Sequence, residues 1–171
     1  MYCNALRPSW AIFLLVAAPS CRTAGHQTET TSSTGGSSSA KVYDPVTEDR
    51  PARDSSNPAK MAEIAFESGG ERINGLLYVA AGAGPHPVVL LPHGNPGYER
   101  NLDLAQAIRR AGYTVLFFDY RGNWGSGGMF SRTHALEDVH AALRWVRSGA
   151  VARKFRINSS RVALVGHSMG G

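Results

Sequence analysis

Short apolar runs alternate with amphipathic segments from about residue 61 onward, and this pattern predicts strands that alternate with helices. Met61–Phe66 and Glu71–Val79 are two predicted strands joined by Ser68-Gly69-Gly70, an arrangement typical of an antiparallel hairpin. Three further apolar runs predict strands that are covered on both faces, namely Val88–Leu91, Tyr113–Phe118 and Val162–Val165. We therefore expect an α/β fold with a mainly parallel sheet that begins with an antiparallel hairpin.

The first predicted helix runs from Leu102 to Ala111. Its apolar positions keep helical spacing: Leu104, Ala105, Ile108 and Ala111. Asn101 is the predicted N-cap, and Gly112 follows the last turn, where glycine commonly ends a helix.

The second predicted helix runs from Ala135 to Arg147, with Thr133 as its N-cap. Its apolar stripe follows steps of three and four residues: Leu136, Val139, Leu143 and Val146. We expect Glu137 and Asp138 in the first turn, where the helix dipole favours negative charge.

The first 21 residues have the pattern of a secretory signal peptide. Arg7 is their first charge, and the apolar run from Trp10 to Ala18 is too short to span a bilayer. A buried element of the domain is the alternative interpretation. The sequence Ala18-Pro19-Ser20-Cys21 resembles a bacterial lipoprotein signal, which predicts lipidation of Cys21 and attachment to a membrane. Ordinary cleavage and release is the other outcome, so we expect an exported protein of the bacterial cell envelope or a secreted one.

Residues 22–60 predict a disordered polar tether between this signal and a domain at 61–171. Residues 28–40 are rich in Ser, Thr and Gly and have no periodicity, so they cannot bury enough apolar area to offset the entropy of ordering. Pro45, Pro51 and Pro58 continue the irregular character.

Composition excludes several kinds of site from residues 61–171. The two cysteines, Cys3 and Cys21, lie outside this range, which leaves it without a disulfide, a zinc–thiolate site or a thiol nucleophile. The formal net charge is +5, but the arginines are scattered and form no Lys/Arg-rich block. We therefore expect neither a nucleic-acid partner nor a metal site.

A glycine–serine motif directly follows the last predicted strand: Gly166-His167-Ser168-Met169-Gly170. A strained turn between a strand and a helix raises a serine hydroxyl above the edge of the sheet, and side chains two positions to either side would collide there. Glycine at 166 and 170 meets this requirement. The motif predicts a nucleophile elbow around Ser168; a plain glycine-rich turn is the alternative.

Five motifs occur in a fixed order along residues 61–171. They are Gly84-Pro85-His86-Pro87, His93-Gly94-x-Pro96-Gly97, Ala111-Gly112-Tyr113, Asp119-Tyr120-Arg121-Gly122 with Gly125-Ser126-x-Gly128, and the serine motif itself. Together they resemble the N-terminal half of the α/β-hydrolase superfamily, most closely its serine aminopeptidase, prolyl-oligopeptidase-like and esterase group. The resemblance implies a Ser–His–acid triad that hydrolyses ester, amide or peptide bonds of a small-molecule or peptide substrate. It implies neither a metal nor an organic cofactor.

The same resemblance assigns further residues. The oxyanion hole would use the backbone N–H of Met169 and a donor from the loop after the third strand, where Asn95 is the best match. A merely structural turn is the alternative for that loop, and Tyr98 is a candidate for an additional hydroxyl donor. Asp119 would stabilise its loop rather than serve as the triad acid. His167 would point away from the serine hydroxyl and fix the loop.

Triad members of this fold follow the order Ser, acid, His, whereas three residues follow Ser168. We therefore expect the chain as given to be a fragment truncated after the elbow, and to be inactive because a serine without a base is a weak nucleophile. Two alternatives remain for the whole protein: a non-catalytic envelope protein that binds ligands, and an acyltransferase or thioesterase on the same fold.

Overall fold

The computed structural model describes residues 43–50 and 54–171. The predicted signal peptide, the candidate lipidation site Cys21 and residues 22–42 of the predicted tether lie outside the described residues. No helix among those described is long and apolar enough to cross a membrane.

One five-stranded sheet organises the domain, in the order β1-β2-β4-β3-β5. The strands are β1 (Lys60–Ser68), β2 (Glu71–Val79), β3 (His86–Leu91), β4 (Thr114–Phe118) and β5 (Ile157–Leu164). The predicted hairpin is confirmed, since β1 pairs with β2 antiparallel. β2 also pairs with β4 antiparallel, whereas β3 lies parallel to both β4 and β5. The parallel part of the sheet therefore consists of β4, β3 and β5.

Three helices cover the two faces of this sheet: α1 (Leu102–Arg110), α2 (Arg132–Arg147) and α3 (Gly149–Phe155). Alternate residues of a strand point to opposite faces, so Val88 and Leu90 join the core cluster with α2 and α3, while Val89 and Leu91 join the cluster with α1. This two-sided burial is the reason that β3 and β4 are almost continuously apolar.

The predicted N-cap position is confirmed for α1 and wrong for α2. Asn101 has a left-handed backbone with φ of 52° and makes no side-chain cap hydrogen bond. α2 begins three residues earlier than expected, because Ser131 is extended and its hydroxyl accepts the backbone N–H of His134 at 3.0 Å. Thr133 therefore lies inside the helix, and the predicted place of Glu137 and Asp138 in the first turn is wrong as well.

The predicted apolar stripe of α2 is also wrong at one end. Leu136 is 67% exposed, whereas Asp138 is completely buried on the face that packs against the sheet. The helix is rotated relative to the orientation that the predicted stripe implies, because the Asp138 carboxylate pairs with Arg121 of the loop after β4. A long-range ion pair thus sets which face of α2 is buried.

Two further boundaries differ from the prediction. α3 was not expected, and β5 begins at Ile157 instead of Val162. Ile157 pairs with His86, but the register then shifts before Val88 pairs with Val162. The residues between Ile157 and Val162 are polar, so a search for apolar runs places the start of the strand too late.

The predicted tether ends too late at residue 60, because its described part packs against the domain. The Tyr43 hydroxyl donates to the Arg110 carbonyl at 2.7 Å, and Arg50 Nη2 donates to the Ala111 carbonyl at 3.1 Å. The last carbonyls of a helix have no partner within the helix, so α1 offers acceptors for these donors. Asp49 adds an ion pair of 2.7 Å with Arg109.

Candidate active site

The candidate nucleophile Ser168 follows β5 and begins a short 3-10 turn, Ser168–Gly170. Its φ is 55°, a left-handed backbone conformation that residues other than glycine rarely adopt and that is often found at functional sites. Two backbone bonds hold the approach to the turn: the Val165 N–H donates to the Leu90 carbonyl at 3.0 Å, and the His167 N–H donates to the Pro92 carbonyl at 3.3 Å. The end of β3 therefore supports the segment that presents Ser168.

The two glycines of the motif occupy positions that no side chain could share. A Cβ on Gly166 would overlap the carbonyl oxygen of Gly170, and a Cβ on Gly170 would overlap the carbonyl oxygen of Pro92. These neighbours are backbone atoms and cannot move aside without displacing the serine turn or the end of β3. The spacing of glycine around Ser168 thus has the steric cause that a tight turn requires.

The structure brings the loop after β3 against the serine. A Cβ on Gly94 would lie 3.1 Å from the Cβ of Ser168, so the two backbones approach as closely as glycine allows. Asn95 is the next residue and is exposed. This places the loop where an oxyanion donor is needed, while the donor roles of Asn95 and Met169 stay predictions.

Two other residues singled out in the sequence lie near this loop. His167 is exposed, and its Nδ1 is 3.5 Å from the position that a Cβ would take on Gly94. Tyr98 is 80% exposed, and its ring packs edge-on against Trp124 with 5.7 Å between centroids. The loop-fixing role of His167 and the hydroxyl role of Tyr98 stay predictions.

A buried histidine and a buried aspartate, which sequence reasoning did not bring together, lie below this loop. His93 packs against Tyr120 with 4.5 Å between ring centroids, and its Nδ1 is 2.5 Å from the Gly94 carbonyl oxygen. Asp119 follows β4, and its Oδ1 is 3.9 Å from Nε2 of His93. The signal available in the sequence was their position directly after two adjacent parallel strands, since such residues meet at one edge of the sheet.

Burial controls the charge of this pair. Loss of hydration raises the pKa of Asp119 to about 6, although the nearby Arg100 guanidinium opposes the increase. Burial also holds the pKa of His93 below its ordinary value, because the imidazolium form would lose hydration. His93 is therefore neutral at neutral pH, whereas Asp119 changes charge within the physiological range.

The glycine-rich loop after β4 is fastened by Arg121. Its Nε donates to Asp138 Oδ1 at 2.7 Å, its backbone N–H donates to Asp138 Oδ2 at 2.9 Å, and its Nη2 donates to the His134 carbonyl at 3.1 Å. Nη2 also pairs with Glu137, and this hydrogen bond lowers the pKa of the Glu137 carboxyl. No local pattern in the sequence pairs Arg121 with Asp138, because the burial of Asp138 depends on how α2 packs against the sheet.

The candidate site therefore lies where three parallel strands end. The loop with Gly94 follows β3, Asp119 follows β4 and Ser168 follows β5, and ligands of open α/β sheets bind at this edge. The alpha/beta hydrolase family model matches residues 88–171, which run from β3 through the serine turn. This stretch of the chain therefore carries the alpha/beta hydrolase family pattern.

Known hydrolases and uncharacterized proteins are similar to parts of this chain. An uncharacterized protein of Mycobacterium tuberculosis is 30% identical over 131 residues, which cover 75% of this chain and 44% of the relative. The lysophosphatidylserine lipase ABHD12 of Rattus norvegicus is 33% identical over 99 residues, 56% of this chain and 23% of the lipase. The solved esterase Pf2001 of Pyrococcus furiosus has a TM-score of 0.53 at 20% identity, covering 66% of this chain and 43% of the esterase.

These matches establish the α/β-hydrolase fold of the chain. The chain spans less than half the length of the two curated relatives described, 44% and 23%. The sequence-based expectation of an α/β-hydrolase fold is confirmed.

Proposed function

We propose that the protein is a serine hydrolase that cleaves carboxylic esters, with Ser168 as its nucleophile. The left-handed backbone of Ser168, at the end of a parallel strand and with Gly94 against it, is the observation that carries the proposal. Ester substrates are favoured over amides and peptides because the similar proteins include an esterase and a lysophosphatidylserine lipase.

The chemistry follows from this placement. The Ser168 oxygen attacks the carbonyl carbon, its proton passes to a general base, and the carbonyl electron pair moves onto the oxygen. The backbone N–H groups of Met169 and Asn95 would donate to this oxyanion, and one such donor contributes about 100-fold to 1,000-fold in rate. The alcohol then leaves with the proton from the base, and water releases the acid from the acyl-serine by the same steps.

In this superfamily the general base is a histidine oriented by an acid, and both follow the serine in chain order. The matched relatives are much longer than the segments that they share with this chain. We assign the base and the acid to the part of the family fold that the shared segments do not cover.

The test uses a fluorophosphonate probe and the protein expressed from its complete gene. Labelling is expected in the wild type and is expected to be lost in Ser168→Ala. Ser160→Ala is the matched control, because Ser160 is an exposed residue of β5 whose hydroxyl donates to Asn158 Oδ1 at 2.7 Å. Absence of labelling, or labelling that survives Ser168→Ala, would contradict the proposal. A nitrophenyl ester, an anilide and a peptide then compare the three substrate classes.

We further infer that the protein is exported and lipid-anchored through Cys21, on the basis of the sequence pattern of residues 1–21. Growth with a labelled fatty acid should mark the protein, and Cys21→Ala should abolish the label while Cys3→Ala leaves it. A mature protein that carries no label and is fully released from membranes would contradict this inference.

A further inference from the structure

His93 and Asp119 face each other below the loop that approaches Ser168. Both side chains are buried, and among the described residues neither His93 Nε2 nor Asp119 Oδ1 has a hydrogen-bond partner. The two atoms are 3.9 Å apart, which is beyond hydrogen-bond distance but close enough for a rotation of either side chain to join them. Buried polar atoms without partners are rare in folded proteins and call for an explanation.

The hydrogen-bonding roles of the two atoms follow from the contacts of the imidazole. Nδ1 of His93 is 2.5 Å from the Gly94 carbonyl oxygen, so Nδ1 carries the proton of the neutral ring. Nε2 is then an acceptor. An ionised carboxylate offers no proton to it, whereas a protonated Asp119 can donate one.

Arg100 competes for the same carboxylate oxygen. Its Nη2 is 3.6 Å from Asp119 Oδ1. The guanidinium is held in place by stacking, since it lies 5.0 Å from the Trp124 ring centroid and 5.7 Å from that of Phe117. Ionised Asp119 is therefore attracted to Arg100, and protonated Asp119 to His93.

We propose that Arg100 is a positioning residue of the candidate active site: by drawing Asp119 away from His93 it prevents the His93 ring from rotating toward Asp119, so that Nδ1 keeps its contact with the Gly94 carbonyl beside Ser168. The proposal rests on the proposed function for its catalytic consequence. The competition between His93 and Arg100 for Asp119 is inferred from the distances of these two residues to Asp119 Oδ1, and it can be measured without catalysis.

Other charged groups also face Asp119. It lines a cavity of about 380 Å³ together with Arg100, Glu63 of β1 and Arg72 of β2. Arg72 is engaged with Asn74, and Glu63 is exposed at the cavity edge, so Arg100 is the cation in ion-pair distance of Asp119 within the described structure. Because the pKa of Asp119 is raised to about 6, the exchange between the two partners falls near that pH.

The experiment follows the His93 ring by NMR in protein that contains ¹³C-labelled histidine, with the resonance assigned by His93→Asn. In the wild type the ring resonance should shift with a midpoint near pH 6. Arg100→Gln should move this midpoint upward by about one pH unit, because a nearby cation favours the ionised carboxyl. Asp119→Asn should abolish the transition. Arg100→Lys, which keeps the charge, should restore a midpoint close to that of the wild type.

Arg72→Gln is the matched control, because Arg72 lines the same cavity without an ion pair to Asp119 in the described structure. It should leave the midpoint unchanged. A midpoint that is equal in wild type and Arg100→Gln, or a transition that persists in Asp119→Asn, overturns the proposal.

A second measurement tests the link to the serine. The rate of Ser168 phosphonylation is recorded against pH in the same variants. We expect the acidic limb of the Arg100→Gln profile to move upward with the NMR midpoint, so that the rate falls about twofold at pH 7 and about tenfold at pH 5. An NMR midpoint that moves while the phosphonylation profile does not would overturn the positioning role. Complete absence of labelling in the wild type would instead refute the proposed function, while the NMR result still decides the exchange.

Discussion

Arg121 and Asp138 form a buried ion pair that fastens the glycine-rich loop after β4 to helix α2. The Arg121 Nε and backbone N–H donate to the two carboxylate oxygens at 2.7 and 2.9 Å. Asp138 is completely buried, so its charge is compensated by these contacts rather than by water. The pair therefore sets both the rotation of α2 and the path of the loop that begins at Asp119.

Loss of the Asp138 carboxylate should strongly destabilise the fold. Asp138→Ala leaves the Arg121 guanidinium buried without its main partner, and breaking such a pair costs about 3–5 kcal/mol of unfolding free energy. Urea denaturation of the wild type and the variant measures this loss. Glu137→Ala is the control, because Glu137 also pairs with Arg121 but its side chain is 53% exposed, and a much smaller loss is expected. Equal effects of the two substitutions would contradict the assignment.

Substitution of Gly170 should disturb the serine turn. A Cβ at this position would overlap the Pro92 carbonyl oxygen, so Gly170→Ala must displace the turn or the end of β3. Labelling of Ser168 by a fluorophosphonate should slow by about 100-fold, as expected for a reacting group misplaced by about 1 Å. Gly171→Ala is the matched control, since its nearest neighbours would be 3.4 Å away. A folded Gly170→Ala protein that labels at the wild-type rate would argue against the elbow.

Asp119 should make stability depend on pH. Its pKa rises from 3.8 in the unfolded chain to about 6 in the native state, so the native state binds this proton more tightly. The corresponding stability is fully present below about pH 4 and is lost as pH rises through 6, a total of about 3 kcal/mol.

The comparison of wild type with Asp119→Asn isolates this contribution. The unfolding free energy of the wild type should fall relative to the variant between pH 4 and pH 7. Denaturant titrations at several pH values measure the difference between the two curves. Curves that stay parallel over this range would show that the carboxyl is not destabilised by burial.

The observed N-cap of α2 can be distinguished from the cap that the sequence predicted. Ser131→Ala removes the hydroxyl that accepts the His134 N–H and should cost about 1 kcal/mol of unfolding free energy. Thr133→Ala, inside the first turn, should change stability much less. The larger loss in Thr133→Ala would favour the predicted cap over the observed one.

Local signals predicted the strands near the site well. The apolar runs at 88–91 and 113–118 correspond to β3 and β4, because strands buried on both faces need apolar residues at nearly every position. β5 was predicted five residues too late, since Asn158 to Arg161 are polar and its first residue pairs beyond a register shift. α3 was missed because a seven-residue helix contains too few turns to show a period.

The sequence by itself determined the tight glycine turn around Ser168 and the α/β order of elements. Both depend on interactions within a few residues: the collision of a side chain with a turn, and the alternation of faces along a strand. Tertiary structure alone decided the rotation of α2, the contact of Tyr43 with α1 and the grouping of Arg100, Asp119 and His93. These depend on burial of charges that are distant along the chain, as with Arg121 and Asp138 at a separation of 17 positions. The energy of a buried charge is set by whichever partner the fold brings to it, and no local pattern of residues records that partner.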